Sequence, residues 1–307
     1  MSDESTAPEP TPGTRPVVVG VDGSDGALDA VNWAAVEAHR RAAPLRVVTA
    51  FAWAPERGHP GLREHYRADL LQRAREHLRT GAVTVAERAV SGLRVCAEVV
   101  VGPPIATLYE ESRRAQLLVL GNRGLGGLGG LLVGSVAVGL SAHAACPVVV
   151  VRGEDRDPLS PRPVVLGVDG SPTSEAATAF AFDAAAARDA PLVAVRTVPD
   201  STIDARIAPL IDWDAVLDTQ RTLLTEHLGG WADKHPDVAL TPVVVRGGAA
   251  TALVERSRAA QLVVVGSRGR GGFAGLVLGS VSHGVLHHSH CPVAIVRPDT
   301  AGAGGPA

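Results

Sequence analysis

Lysine occurs once in the 307 residues, as Lys234 in the polar stretch ADKHPD. Chemistry that needs an ammonium group has that single candidate, and it stands far from the glycine-rich stretches. Aromatic residues make up 3% of the chain while 46% is hydrophobic. The core must therefore be built mostly from valine, leucine and alanine. The three cysteines, Cys96, Cys146 and Cys291, are odd in number, widely spaced and set in or beside apolar runs. They form no disulfide framework and read as buried free thiols in a reducing compartment. No apolar run reaches the roughly 18 residues of a membrane helix. The opening MSDESTAPEPTPGTRP lacks the basic and apolar regions of a secretory leader. These absences predict a cytoplasmic protein with no membrane contact. A formal charge of −3 does not suggest the basic face that a nucleic-acid partner requires.

What the chain has instead is repetition. PVVVGVDGS at 16–24 returns as PVVLGVDGS at 163–171, an offset of 147, and ACPVVVVR at 145–152 returns as HCPVAIVR at 290–297, an offset of 145. The second copy is thus two residues shorter somewhere in its middle. We read the chain as two copies of one domain, at 15–152 and 163–298. Residues 1–14 and 299–307 read as disordered tails, and 153–162 as a linker. In the first copy, strands are expected at about 16–21, 45–51, 94–101, 116–121 and 147–152, separated by connections long enough to hold helices. Near-continuous apolar strands with such connections predict an α/β fold. Each copy is then a doubly wound, Rossmann-like domain with a five-stranded parallel sheet and helices on both faces. Ligands of such domains bind at the carboxyl edge, where the strand order reverses.

The fourth strand of each copy runs into a glycine-rich loop, GNRGLGGLGGLLVGS at 121–135 and GSRGRGGFAGLVLGS at 266–280. Both fit G-x2-G-x9-G-S, with Gly121, Gly124, Gly134 and Ser135 matching Gly266, Gly269, Gly279 and Ser280. Glycine lets a ligand approach the backbone and lets successive amides point inward as an anion nest. Val133, Val136 and Leu140, like Leu278, Val281 and Val285, are spaced as on one helix face. A helix therefore starts at each Gly-Ser, where its open amides and dipole favour a phosphate. The glycines between these positions, such as Gly126, Gly127, Gly129 and Gly130, supply flexibility. No lysine makes the loop a Walker motif, and its place after the fourth strand separates it from the dinucleotide fingerprint. The first strand of each copy ends in V-D-G-S. Asp22 and Asp169 have two readings: an acceptor for a ribose or an adenine amine, or part of a helix N-cap.

With V-D-G-S after strand one, G-x2-G-x9-G-S after strand four and a closing C-P-V strand, the chain resembles the universal stress protein family. The likeness is to its tandem two-domain form and its ATP-binding branch, and it spans all but the tails and linker. It implies ATP as the ligand, with Asp22 and Asp169 near the adenosine and the four loop positions of each copy lining the phosphates. It also implies that Ala50 and Thr197, on strand two, present backbone to adenine. Gln116 and Gln261 depart from the Asp usual before strand four, at a place outside the nucleotide site. A role in adaptation to stress is what the resemblance implies.

His283 and His287 share a helix face, but the first copy lacks the cluster, so no metal site is assigned. Cys146 and Cys291 lack a nearby redox partner. Arg123, Arg268 and Arg270 either neutralise phosphate or are solvated. No carboxylate, histidine or lysine lies within 121–135 or 266–280, whereas phosphoryl transfer needs metal ligands and a group to orient the nucleophile. The expectation is a non-enzymatic ATP-binding regulator. The alternatives are a slow ATP hydrolase or nucleotidyl/phosphoryl transferase, with Mg²⁺ held through water by Asp22 or Asp169, and a nucleotide-independent scaffold. The apolar closing strands at 148–151 and 293–296 predict edge pairing, a pseudo-two-fold domain pair and a homodimer.

Overall fold

The computed structural model describes residues 14–52, 60–124, 133–152, 162–199, 211–269 and 278–298. Residues 1–13, 153–161 and 299–307 of the expected tails and linker lie outside the described residues, as do the intervening loop glycines and Arg270. By its contacts the chain divides into two compact units, residues 1–140 and 141–307.

The first unit holds β1 (Val17–Gly20), β2 (Leu45–Phe51), β3 (Val95–Val101) and β4 (Leu117–Gly121). They form parallel ladders in the order β3-β2-β1-β4. The chain winds outward from β1 to β3 and then crosses to the other side of β1. Strand order thus reverses between β1 and β4, and the residues after these two strands flank one crevice. The strands need no aromatic residue to be buried: Val17, Val18, Val19, Leu45, Val47 and Leu117 are fully enclosed, each contributing about 1.5–3 kcal/mol of burial. Helix α1 (Asp25–Arg40) packs on this sheet with the small residues Ala30, Ala34, Ala35 and Ala38 fully buried. Small side chains here let the helix backbone come close to the strands. Its start is fixed by Ser24, whose side chain accepts from the Ala27 amide.

Between β2 and β3 stand α2 (Pro60–His77), a π-helical turn (Leu78–Val83) and α3 (Thr84–Ala89). After β3 comes α4 (Pro104–Ser112), and after β4 the helix α5 (Ser135–His143), whose last residues belong to the second unit.

The second unit contains β5 (Val148–Val151), β6 (Val164–Gly167), β7 (Leu192–Val198), β8 (Leu240–Arg246), β9 (Leu262–Gly266) and β10 (Val293–Val296). Five strands run parallel in the order β10-β9-β6-β7-β8, and the reversal falls between β6 and β9. The helices are α6 (Pro172–Ala186), α7 (Trp213–Lys234), α8 (Ala249–Ser257) and α9 (Ser280–His288). Asp212 starts α7 by accepting from the Ala215 amide at 3.1 Å. Phe182 on α6 is fully buried and stacks on Trp231 of α7 and on His235, with centroids 6.2 and 5.4 Å away. Among the described residues no helix is long and apolar enough to cross a membrane.

The two closing strands pair with each other, as their apolar edges predicted: β5 runs antiparallel to β10, with Val149 opposite Ala294. Two arginines fasten the pairing reciprocally. Arg152 donates to the Leu286 carbonyl at the end of α9 at 2.6 Å, and Arg297 donates to the Ala142 carbonyl at the end of α5. Beside this clasp, the ring of His287 lies 4.3 Å from that of His283 and 6.4 Å from that of His288. The His287 Nε2 is buried without a protein hydrogen-bond partner. Burial first, then the charges of His283, His288 and Arg152, hold His287 below the ordinary imidazole range.

The folded protein keeps His287 neutral while the unfolded chain takes up a proton near pH 6.5. Stability is retained above about pH 6.5 and declines as the pH falls below it, until the lower folded value is passed. Thermal melts between pH 7.5 and 5 are expected to show a fall that is shallower in His287→Gln; equal slopes in the two proteins would contradict this reading.

Candidate functional site

In both copies the turn after the first strand is built around one carboxylate. Gly23 and Gly170 take φ of 89° and 74°, the left-handed region in which glycine avoids a side-chain penalty. That turn brings the next serine back onto the aspartate. Ser24 donates its amide and hydroxyl to Asp22 Oδ1 at 3.1 and 2.7 Å. Ser171 does the same to Asp169 Oδ1 at 2.9 and 2.7 Å. The N-cap is therefore the serine in each copy, since Ser24 accepts from Ala27 and Ser171 from Ser174. The aspartate is oriented by the cap rather than being it.

The second carboxylate oxygen faces the glycine loop. A Cβ placed on Gly124 would lie 2.2 Å from Asp22 Oδ2, and one on Gly269 would lie 2.5 Å from Asp169 Oδ2. No side chain fits there, so the third residue after β4 or β9 must be glycine for the carboxylate to keep its place. Gly121 and Gly266 are constrained differently. A Cβ on Gly121 would meet the Gly26 carbonyl oxygen at 2.5 Å, and one on Gly266 would meet the Thr173 carbonyl group at 2.9 Å. These glycines let the first turn of α1 or α6 press its backbone onto the strand end. The structure thus gives them a packing role that the motif reading did not foresee.

The far end of each loop is tied back to its beginning. Gly134 donates to the Asn122 carbonyl and Gly279 to the Ser267 carbonyl, both at 2.8 Å. These two amides are spent on closing the loop. The first helical hydrogen bonds run from Val138 to Gly134 and from His283 to Gly279. Helix geometry then leaves the amides of residues 135–137 and 280–282 without intrahelical acceptors. The α5 and α9 starts thus carry the partial positive charge that suits an anion.

In the second unit these parts enclose a cavity of about 990 Å³. Its lining includes all six residues singled out in the second copy: Asp169, Thr197, Gly266, Gly269, Gly279 and Ser280. Across the strand order β9-β6-β7, the cavity runs from the α9 start, past Asp169, to the end of β7. One end offers helix amides, Ser280 and Arg268. The other offers an apolar wall of Val168 and Val198 beside the β7 backbone. In the first unit the corresponding Asp22, Gly121, Gly124, Gly134 and Ser135 hold the same local arrangement, and Ala50 lies on β2 opposite Val100.

Sequence reasoning missed Arg196, Gln220, Leu223 and His227, which also line the cavity. The last three are spaced i, i+3, i+7 on α7. That spacing was legible, but a polar-apolar-polar stripe does not stand out from a solvated helix face. Gln116 and Gln261 have a structural task instead: their side-chain amides donate to the carbonyls of Arg15 and Arg162, just before β1 and β6. Cys146 and Cys291 are buried as expected, whereas Cys96, on the outer strand β3 beside Arg46, is only half-buried. Among the described residues no group of three or more His, Cys, Asp or Glu is placed to hold a metal ion.

Comparison with known proteins agrees with this architecture. The model of the universal stress protein family matches residues 13–152 and 161–297. A universal stress protein of Mycobacterium tuberculosis (strain ATCC 25618 / H37Rv) is 42% identical over 297 residues, covering 92% of this chain and 96% of its own. One from Mycolicibacterium smegmatis is 41% identical over 290 residues, covering 92% and 97%. The solved universal stress protein from Archaeoglobus fulgidus DSM 4304 shares the fold, with a TM-score of 0.69 at 20% identity over 93% of this chain and 99% of that one. The two matched repeats, the near-complete coverage at 42% identity and the shared fold show that this chain belongs to the universal stress protein family, as a tandem of two repeats.

Proposed function

We propose that the chain is a cytoplasmic, ATP-binding regulatory protein of the stress response, holding a nucleotide at the carboxyl edge of each repeat. The observation that carries this reading is the cavity of the second unit, on which all six expected residues converge. Its two ends differ chemically in the way the two ends of a nucleotide differ. The α9 amides and the Ser280 hydroxyl suit phosphate oxygens. Asp169, with Oδ1 fixed by Ser171 and Oδ2 against Gly269, suits a ribose hydroxyl. The apolar wall and the β7 backbone at Thr197 suit an adenine ring. In the first repeat Asp22, Ala50, Gly121, Gly124, Gly134 and Ser135 take the matching roles.

The nucleotide is kept rather than spent. The stretches 121–135 and 266–280 carry only arginines as charged groups, and efficient phosphoryl transfer needs metal ligands and a group orienting the nucleophile. Mg²⁺ fits as the nucleotide's companion, not as a resident ion. Each site supplies a single aspartate, and its Oδ1 already accepts two hydrogen bonds from serine. Phosphate oxygens and water would complete its shell. A change in conformation or in homodimer assembly on binding at the strand-order reversal is the readout.

Denaturing the purified protein is expected to release adenine nucleotide detectable by mass spectrometry. Titration calorimetry of the emptied protein is expected to show ATP binding without steady phosphate release. Absence of both bound nucleotide and binding at millimolar ATP would overturn the proposal; steady turnover lost in Asp22→Ala and Asp169→Ala would make the protein an enzyme. The glycines separate binding from packing. Gly269→Ala displaces Asp169 and is expected to weaken ATP binding at the second site about tenfold or more, a loss of ~1.4 kcal/mol. Gly266→Ala is expected to cost about 1–3 kcal/mol of folding stability by overpacking against α6, measured by denaturant melts without nucleotide.

A further inference from the structure

The two repeats are not the same at the nucleoside end of the site, and the difference can be traced along the chain. β2 and β7 match at an offset of 147, Leu45 with Leu192, whereas β3 and β8 match at 145, Val95 with Leu240. The two-residue difference therefore falls between the second and third strands. There the first repeat has α2, a π-helical turn and α3, while the second has, among the described residues, α7 alone. An inserted residue in a helix is commonly absorbed as a π-bulge, and such bulges gather at functional sites.

In the second repeat, α7 brings His227 to Glu175 of α6, with Nε2 2.7 Å from Oε1. Both groups are partly exposed, and His227 lines the cavity together with Gln220 and Leu223. Leu223 keeps 45% of its surface exposed, as expected of an apolar group facing a cavity that awaits a ring. In the first repeat the position of Glu175 is taken by Leu28, and that of His227 by Gly81, which precedes the buried Ala82 as His227 precedes the buried Leu228. Leu28 Cδ2 reaches to 3.9 Å from where Gly81, in the π-helical turn, would carry a side chain. A leucine beside a glycine thus replaces the hydrogen-bonded pair.

We propose that His227, positioned by Glu175, is a nucleoside-end contact unique to the second repeat, and that it makes the two sites unequal, the second binding adenine nucleotide more tightly. The proposal rests on the nucleotide-binding reading above. The order of the strands sets the division of labour. Phosphates would lie at the α9 start beside β9, whereas His227 is carried by α7, which packs on β8 at the far side of β7. A ligand lacking the nucleoside cannot reach it. With Nε2–H engaged by the carboxylate, the tautomer that donates from Nε2 has Nδ1 as an acceptor for a ligand N–H or O–H. Leu28 and Gly81 offer no such group.

The test is calorimetric titration of the full chain, emptied of nucleotide, with ATP and with inorganic triphosphate as the probe of the phosphate end. ATP is expected to bind in two classes of unequal affinity. His227→Ala is expected to weaken the tighter class about tenfold while leaving triphosphate affinity unchanged, and Glu175→Gln to weaken it about threefold. Glu175→Gln alters no core contact, so it decides the matter if His227→Ala melts early. Two equal ATP sites in the unaltered protein, or a tight class that survives both substitutions, would overturn the inference. A protein that binds no ATP at all would instead remove the nucleotide reading on which it rests.

Discussion

Each repeat depends on one contact, the carboxylate that ends its first strand lodged against a glycine of the loop after its fourth. Asp22 against Gly124, and Asp169 against Gly269, leave no room for a side chain between them. The contact joins the two strands between which the order of the sheet reverses. It fixes where the loop leaves the sheet, and hence where the next helix points its amino end. On the other side the carboxylate is gripped by the capping serine of α1 or α6. Helix start, strand end and glycine loop are thus one hydrogen-bonded unit. The backbone-to-backbone approach at Gly121 and Gly266 holds the same helix turn down onto the sheet.

Much of this was legible in the sequence, for physical reasons. Valine-rich runs such as Val17–Gly20 can be satisfied only by burial on both faces, and long connections force them parallel. The i, i+3, i+7 spacing of Val133, Val136 and Leu140 marked the start of α5 at Ser135, as observed. Internal duplication did most to reveal the site. Positions that stay fixed while their neighbours drift are held by geometry, and Gly124 with Gly269 shows what that geometry is. The reason for a glycine was less legible than its presence. Nothing in the motif distinguishes Gly121, which makes way for a helix backbone, from Gly124, which makes way for a carboxylate. Gly134 spends its amide on Asn122, a loop closure that spacing alone does not reveal.

The wall of the cavity was illegible because α7 meets it through packing between helices. Phe182, Trp231 and His235 set the seat of α7 on α6. Three aromatic rings do here what alanine and valine do elsewhere in this aromatic-poor chain. Their stacking settles which stripe of α7 faces inward, and so brings Gln220, Leu223 and His227 to the cavity. The first repeat solved the same space with a π-helical turn and small residues. The duplication preserved the strand ends and the phosphate-type loop while the helices behind them diverged.

The central claim is that the open amides at the starts of α5 and α9 hold a nucleotide's phosphates. Amide hydrogen exchange of the full chain, with and without saturating ATP, reads those positions directly. The account predicts that peptides covering Ser135–Ala137 and Ser280–Ser282 slow their exchange when ATP is bound, while the core strands β1 and β6 remain unchanged. ATP binding that leaves both helix starts exchanging at their free rates would contradict it.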